Sequence, residues 1–335
     1  TVSKEVISVT VRVAVAPDLL HWAVERAGWD DETTGRRAPK LDEWVAGRQP
    51  TLKQLEKFAS DTHTPLGLLF LAEPPDEKVP IPDLRTLGNA AVTRPSADML
   101  DAIYICQDRQ QWYRAYAVEH GHTPLEFVGA ATTDDSPALV ADRIRNLLNF
   151  DVADRAVFSN WEDALRRLID RIEAIGVLVM VSGIVGANTH RVLRPEEFRG
   201  FALADPIAPL IFVNGTDTKA AQIFTMIHEL AHIWLGESAL SDAAMNADHG
   251  QEAELWCNQV AAEVLVPQAF LRSDYRGHPT VAELERLASR YRVSTLVVLK
   301  QLFAARLLTW GTFEQLYDEE LERLRAILAN RRGEA

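Results

Sequence analysis

The sequence predicts a mainly α-helical protein with a small β-sheet: an N-terminal bundle of five short helices, then an α+β domain with a helical C-terminal cap. Three observations carry this. Short helical runs follow one another between Pro17 and Ala72, separated by glycine, proline and capping residues. Three strand-like apolar runs cluster between residues 177 and 214. Most of the remaining chain repeats its apolar residues at helical spacing. The corresponding divisions are a bundle at 17–72, a linker at 73–95, a helical connecting region at 96–150, the α+β core at 151–275 and a C-terminal helical region at 276–335.

Residues 1–16 alternate Val and Ile with polar residues and read as a short strand or a loose arm. Pro17 opens a first helix that Gly28 stops, since proline fits the first helical turn and glycine the position after the last. A charged segment from Asp30 to Ala38 and a third from Lys40 to Arg48 follow. Thr51 is the expected N-cap of a fourth, ending near Ser60, and Pro65 to Leu71 is a short apolar fifth. Four prolines between Glu73 and Asp83 make that stretch an extended linker. A long helix is expected over Ser96–His120, with Leu100, Ile103, Tyr104, Trp112 and Tyr116 read as a packing stripe rather than a base-stacking platform. Gly121 breaks it, and residues 137–149 form another short helix.

In the core, Trp161 to Ile175 places Leu165, Leu168, Ile169 and Ile172 on one helical face. Strands are expected at 177–181, 198–204 and 209–214, the last ending in the turn Asn214-Gly215. Leu210 to Val213 is expected as a sheet edge along which an extended peptide lies by strand addition. A buried helix, Phe224 to Leu235, is followed by a loop over 236–250 and a second helix, Glu252 to Leu265, closed by Pro267. Beyond it, residues 281–290 and 294–308 read as a helix pair capping the core, with a second helix-turn-helix as the alternative. Residues 314–332 read as a charged amphipathic helix.

The chemistry gathers on the two core helices. His228 and His232 are four residues apart, so on a helix they share a face and can offer two imidazoles to one metal ion. Glu229, next to the first imidazole, can take a proton from water at the metal's open position, as a zinc-peptidase base does. Catalytic zinc needs three protein ligands, and Glu254 can complete a His-His-Glu set. Asn258, one turn on, can hydrogen-bond a ligand histidine. His190, Arg199, His249 and Tyr275 are the polar residues nearest in sequence for steadying an oxyanion, and no spacing singles one out.

His-Glu-Leu-Ala-His followed by Glu-Leu-Trp-Cys-Asn-Gln-Val-Ala-Ala-Glu-Val-Leu-Val-Pro resembles the ImmA/IrrE family of zinc metallopeptidases. Phe198-Arg-Gly-Phe201 and Ile211-Phe-Val-Asn214 are further elements of that pattern. The resemblance spans about 150–305 and implies a zincin-like, gluzincin-type fold. It implies Zn²⁺ on His228, His232 and Glu254, with Glu229 as general base. Residues 17–72 resemble helix-turn-helix domains of the XRE class, and the family implies XRE-type transcriptional repressors as protein substrates. The alternative reading is a DNA-binding regulator or antitoxin-like component whose metal site is structural or vestigial.

Charge bears on that choice. The net charge of −13 argues against broad affinity for nucleic acid. Residues 17–72 hold seven Lys/Arg against nine Asp/Glu. Arg36, Arg37, Lys40 and Arg48 are the candidate DNA contacts, but Asp30, Asp31, Glu32, Asp42 and Glu43 lie beside them and repel phosphate. A docking or structural role for the bundle is favoured. Two distant cysteines give no disulfide framework and, with no apolar run suited to a bilayer span, point to the cytoplasm.

Overall fold

The computed structural model describes residues 11–77, 79–81, 95–155, 158–241 and 252–333. They form two compact units, one of residues up to 80 together with 95–101, the other of Ile81 with the rest.

In the first unit, α1 (Pro17–Arg26), α2 (Asp31–Arg37), α3 (Leu41–Val45) and α4 (Leu52–Asp61) are followed by a 3-10 turn, Leu66–Phe70. Their boundaries follow from local chemistry. Pro17 starts α1, and the Asp30 side chain accepts from the Thr33 N–H at 2.8 Å to start α2. Thr51 and Gln54 form a reciprocal capping box that starts α4, with bonds of 2.9 and 3.2 Å. α3 is shorter than its predicted nine residues because the chain leaves the helix at Gly47, where φ is 102°. Leu19, Leu20, Trp22, Leu41, Trp44, Leu55, Phe58 and Leu69 fill the core. Glu77, in the proline-rich stretch, is tied down by the buried Arg26 at 2.8 Å. Most of the expected linker, 82–94, lies outside the described residues, as do residues 1–10; Arg12 makes an isolated bridge with Thr51.

The second unit holds most of α5 (Ala97–Glu119), then α6 (Pro137–Leu148), α7 (Val152–Arg155) and α8 (Trp161–Ala174). Next come β1 (Leu178–Ser182), β2 (Ile184–Val185), β3 (Asn188–Val192), β4 (Gly200–Leu203) and β5 (Leu210–Asn214). They lead into α9 (Lys219–Leu235), β6 (Ala239–Ser241), α10 (Glu252–Leu265), α11 (Gln268–Asp274), α12 (Val281–Tyr291), α13 (Thr295–Ala304) and α14 (Trp310–Gly333). The main sheet has the order β1-β5-β4-β6, with β1 and β5 parallel and the other pairs antiparallel.

This order corrects the reading of Leu210 to Val213 as an edge. β5 is hydrogen-bonded on both sides and all its residues are buried, so no peptide can add to it. The antiparallel β2–β3 hairpin is absent from the sequence reading. The stretch expected as a loop after Gly236 begins with strand β6; residues 242–251 lie outside the described set. The stripe on α5 is only half a packing stripe. Leu100 and Ile103 are buried, whereas Tyr104, Trp112 and Tyr116 are exposed, and the Trp112 and Tyr116 rings stack on each other.

α9 lies against β4 and β5 and is flanked by α8 and α10. Side chains alternate across a strand, so Gly200 and Ala202 face α9 and their small size lets the helix come close. Phe201 and Phe212, paired across β4 and β5, stack on the opposite face at 4.9 Å. Leu284, Leu287 and Tyr291 of α12 and Val297, Val298 and Leu302 of α13 join the same core as α9 and α10. The helix pair thus packs as a cap, and burial of α13 removes the face a DNA-reading helix would need. No helix among the described residues is long and apolar enough to cross a membrane.

Candidate metal centre

α9 is capped at both ends. The Thr218 side chain accepts from the Ala221 N–H, and Gly236, with φ of 73°, closes the last turn in the left-handed conformation. Between the caps the helix is apolar on nearly every face, and Ile223, Met226, Ile227, Leu230, Ala231 and Ile233 are all buried. A helix gripped on all sides holds His228 and His232 in fixed directions. α10 packs directly on α9 and α6, and its first turn delivers Glu254.

The three side chains converge. His228 Nε2 and His232 Nε2 are 3.2 Å apart. Glu254 Oε1 stands 3.0 Å from His232 Nε2, and Glu254 Oε2 stands 3.2 Å from His228 Nε2. Donor atoms about 2.0–2.1 Å from a tetrahedral zinc are about 3.3 Å from one another, so this spacing suits such an ion. Two imidazole nitrogens and one carboxylate are also a donor set that zinc accepts. All three residues are buried, and together they could hold a metal ion.

Their electrostatics couple the three groups to one another. Burial pushes the Glu254 carboxyl up, but His228 and His232 outweigh it and hold the group well below the usual carboxylate range. Burial pushes His228 down, yet the Glu254 charge, with help from Glu229 and the Asn258 side chain, raises it. For His232 burial wins, reinforced by the neighbouring His228, and its pKa falls. Cys257 sits in the same neighbourhood. Burial and the charges of Glu254, Glu229 and Glu237 drive its thiol far up, so it remains a neutral packing group rather than a ligand.

Glu229 is fully buried. Its carboxylate packs on the backbone of β4: a Cβ at Gly200 would lie 3.0 Å from Glu229 Oε1, 2.6 Å from Thr225 Cγ2 and 2.7 Å from the Phe212 carbonyl oxygen. Gly200 and Thr225 are the neighbours that sequence reasoning missed. The Phe-Arg-Gly-Phe run marked the place, but a close approach of backbone to side chain has no periodicity to reveal it.

The far end of α10 is held by buried cations. Arg155 donates to the Val264 carbonyl at 2.7 Å and to the Leu265 carbonyl, and Arg145 donates to Glu263 O at 2.6 Å. Gln301 covers Val266 O at 2.7 Å. Terminal carbonyls that α10 cannot satisfy itself are thereby paired, with positive charge at the negative end of the helix dipole.

Among the oxyanion candidates, Arg199 is paired with Asp217 at 3.4 Å, and His190 is exposed on the β2–β3 hairpin. Tyr275 packs against the core just after α11, its hydroxyl pKa raised by burial and then by Glu283. His249 lies outside the described residues. Of the candidate DNA contacts, Arg36, Arg37 and Lys40 line one cavity, whereas Arg48 is paired with Glu43 at 2.5 Å and does not.

A search of curated proteins finds no match to the chain. Residues 172–303, which run from the end of α8 into α13 and contain the whole cluster, match the family described as Peptidase_M78, the IrrE N-terminal-like domain. That match supports the resemblance to the ImmA/IrrE family and a metallopeptidase-like chemistry for this segment.

Proposed function

We propose that the protein is a zinc-dependent endopeptidase in which His228, His232 and Glu254 hold the metal and Glu229 is the general base. The observation that carries this is the placement of Glu229. It is fully buried on the helix that bears both histidines and is braced by Gly200, where a structural metal site would have no use for a carboxylate. When bound, zinc polarises the scissile carbonyl and acidifies water. Glu229 accepts a proton from the attacking water and returns it to the leaving amine. Asn258, through His228, keeps the imidazole oriented. The apolar packing of α9 excludes bulk water from the base and strengthens the electrostatics of the site.

For the substrate we propose an XRE-type transcriptional repressor, on the strength of the ImmA/IrrE resemblance and the family match over 172–303. Both cysteines are free and buried, which fits work in a reducing cytoplasm. The test is to mix purified protein with XRE-type repressors from the same genome and follow fragments by mass spectrometry. Cleavage at one site, lost in Glu229→Gln, is expected. Equal cleavage by both proteins would remove Glu229 from the reaction. Cleavage of none would move the reading to regulation by binding.

A further inference from the structure

We propose that the first unit carries a binding site for an acidic peptide segment, in the cavity ringed by Arg36, Arg37, Lys40 and Lys57. The cavity measures about 540 Å³ and lies between the end of α2, the start of α3 and the exposed side of α4. Four of the seven Lys/Arg of residues 17–72 meet here, in a chain whose net charge is −13. Asp61 is the one acid in the lining, and it is spent on Lys57 at 2.5 Å. Arg37 rests over the Trp29 ring, its guanidinium 5.5 Å from the centroid, which fixes the stem and leaves its N–H groups to donate. Arg36 and Lys40 are exposed; Arg36 feels the charge of Asp30, which does not line the cavity. Beneath this rim, Ala38, Pro39, Trp44 and Phe58 make an apolar floor.

A cationic rim over an apolar floor recognises an anionic chain that carries an apolar side chain. Two other anions fit less well. Duplex DNA needs a continuous row of cations along a reading helix, but the cations here gather around one cavity, and α3 itself carries none between Leu41 and Val45. A nucleotide needs an open ring face on which its base can stack. Trp44 and Phe58 are buried and locked edge to face, with centroids 5.8 Å apart and planes at 89°. They offer edges, which suit a leucine or phenylalanine side chain. An extended peptide can place such a residue on the floor while flanking carboxylates reach Arg36, Arg37 and Lys40.

The experiment uses the full-length Glu229→Gln protein, so that no probe is cleaved, and fluorescence anisotropy of a labelled Asp-Glu-Leu-Asp-Phe-Glu-Asp-Glu peptide at low salt. Binding with a Kd of about 10–100 μM is expected. It should weaken about tenfold or more in the double variant Arg36→Ala, Lys40→Ala, and at 0.5 M salt. Replacing the probe's Leu and Phe by Gly should cost at least a further several-fold, on the order of one buried apolar side chain. Because Arg36 and Lys40 are exposed, circular dichroism of the variant should be unchanged. No binding of the probe, equal binding by the double variant, or tighter binding of a 20-base-pair duplex or of ATP would each overturn the assignment.

Discussion

Gly200→Ala probes the bracing of Glu229 directly. The new methyl would sit 2.6 Å from Thr225 Cγ2, where carbon atoms rest at about 3.5–4.0 Å, and 2.7 Å from the Phe212 carbonyl oxygen. The Thr225 methyl is held on a buried helix, and the Phe212 carbonyl belongs to the central strand of the sheet, so neither gives way cheaply. Overpacking of this kind costs about 1–3 kcal/mol, and relief requires α9 to move off β4 by roughly 0.5–1 Å. The third contact, 3.0 Å to Glu229 Oε1, passes that movement to the base. A displacement of about 1 Å at a catalytic group can cost on the order of 100-fold in rate. Urea unfolding should therefore show a loss of about 1–3 kcal/mol, and peptidase assays a fall in kcat of about 10- to 100-fold with KM little changed. Zinc content should stay at the wild-type level, because both histidines lie on the same rigid helix. Stability within 0.5 kcal/mol of wild type together with undiminished kcat would refute the bracing argument.

Two further outcomes follow from buried charges. Arg155→Met should destabilise the fold by about 2–4 kcal/mol in urea, because the carbonyls at the end of α10 lose donors that no water can replace. A gain in stability would mean that burying the cation costs more than its bonds return. Lys300 of α13 is pushed down to about 8 by burial, so its protonated form is penalised in the folded state. That penalty is fully present below pH 8 and fades as pH rises from 8 towards the ordinary lysine value of 10.5. Lys300→Met should accordingly be more stable than wild type at pH 7, with the difference shrinking at pH 9–10 in thermal melts. A constant difference across that range would count against it.

The meeting of the two histidines was legible because the information is local. His228 and His232 need no more than one helix to share a face, and α9 announces itself by its apolar run and by Gly236. Glu254 was legible as a carboxylate at the start of the next helix, although its meeting with the histidines depends on α10 packing back on α9. What sequence periodicity could not show is set by long-range pairing. β5 reads as an apolar strand whether it lies at an edge or in the centre; its burial depends on β1 and β4 flanking it. Trp112 and Tyr116 recur at helical spacing like core residues, but the side they occupy on α5 is left uncovered within the described chain. Nothing in the local sequence marks Arg155 for burial, and only the end of α10, more than a hundred residues later, explains it. Gly47 shortened α3 through a positive φ that composition alone does not reveal.

The most direct test of the central claim is zinc stoichiometry by inductively coupled plasma mass spectrometry on the wild-type, Glu229→Gln and His232→Ala proteins. A metal held by His228, His232 and Glu254, with Glu229 outside the coordination set, predicts about one zinc per chain in the first two and far less than one in the third, which lacks one of three direct ligands. Wild-type protein without zinc, or His232→Ala protein that keeps it as tightly, would contradict the assignment.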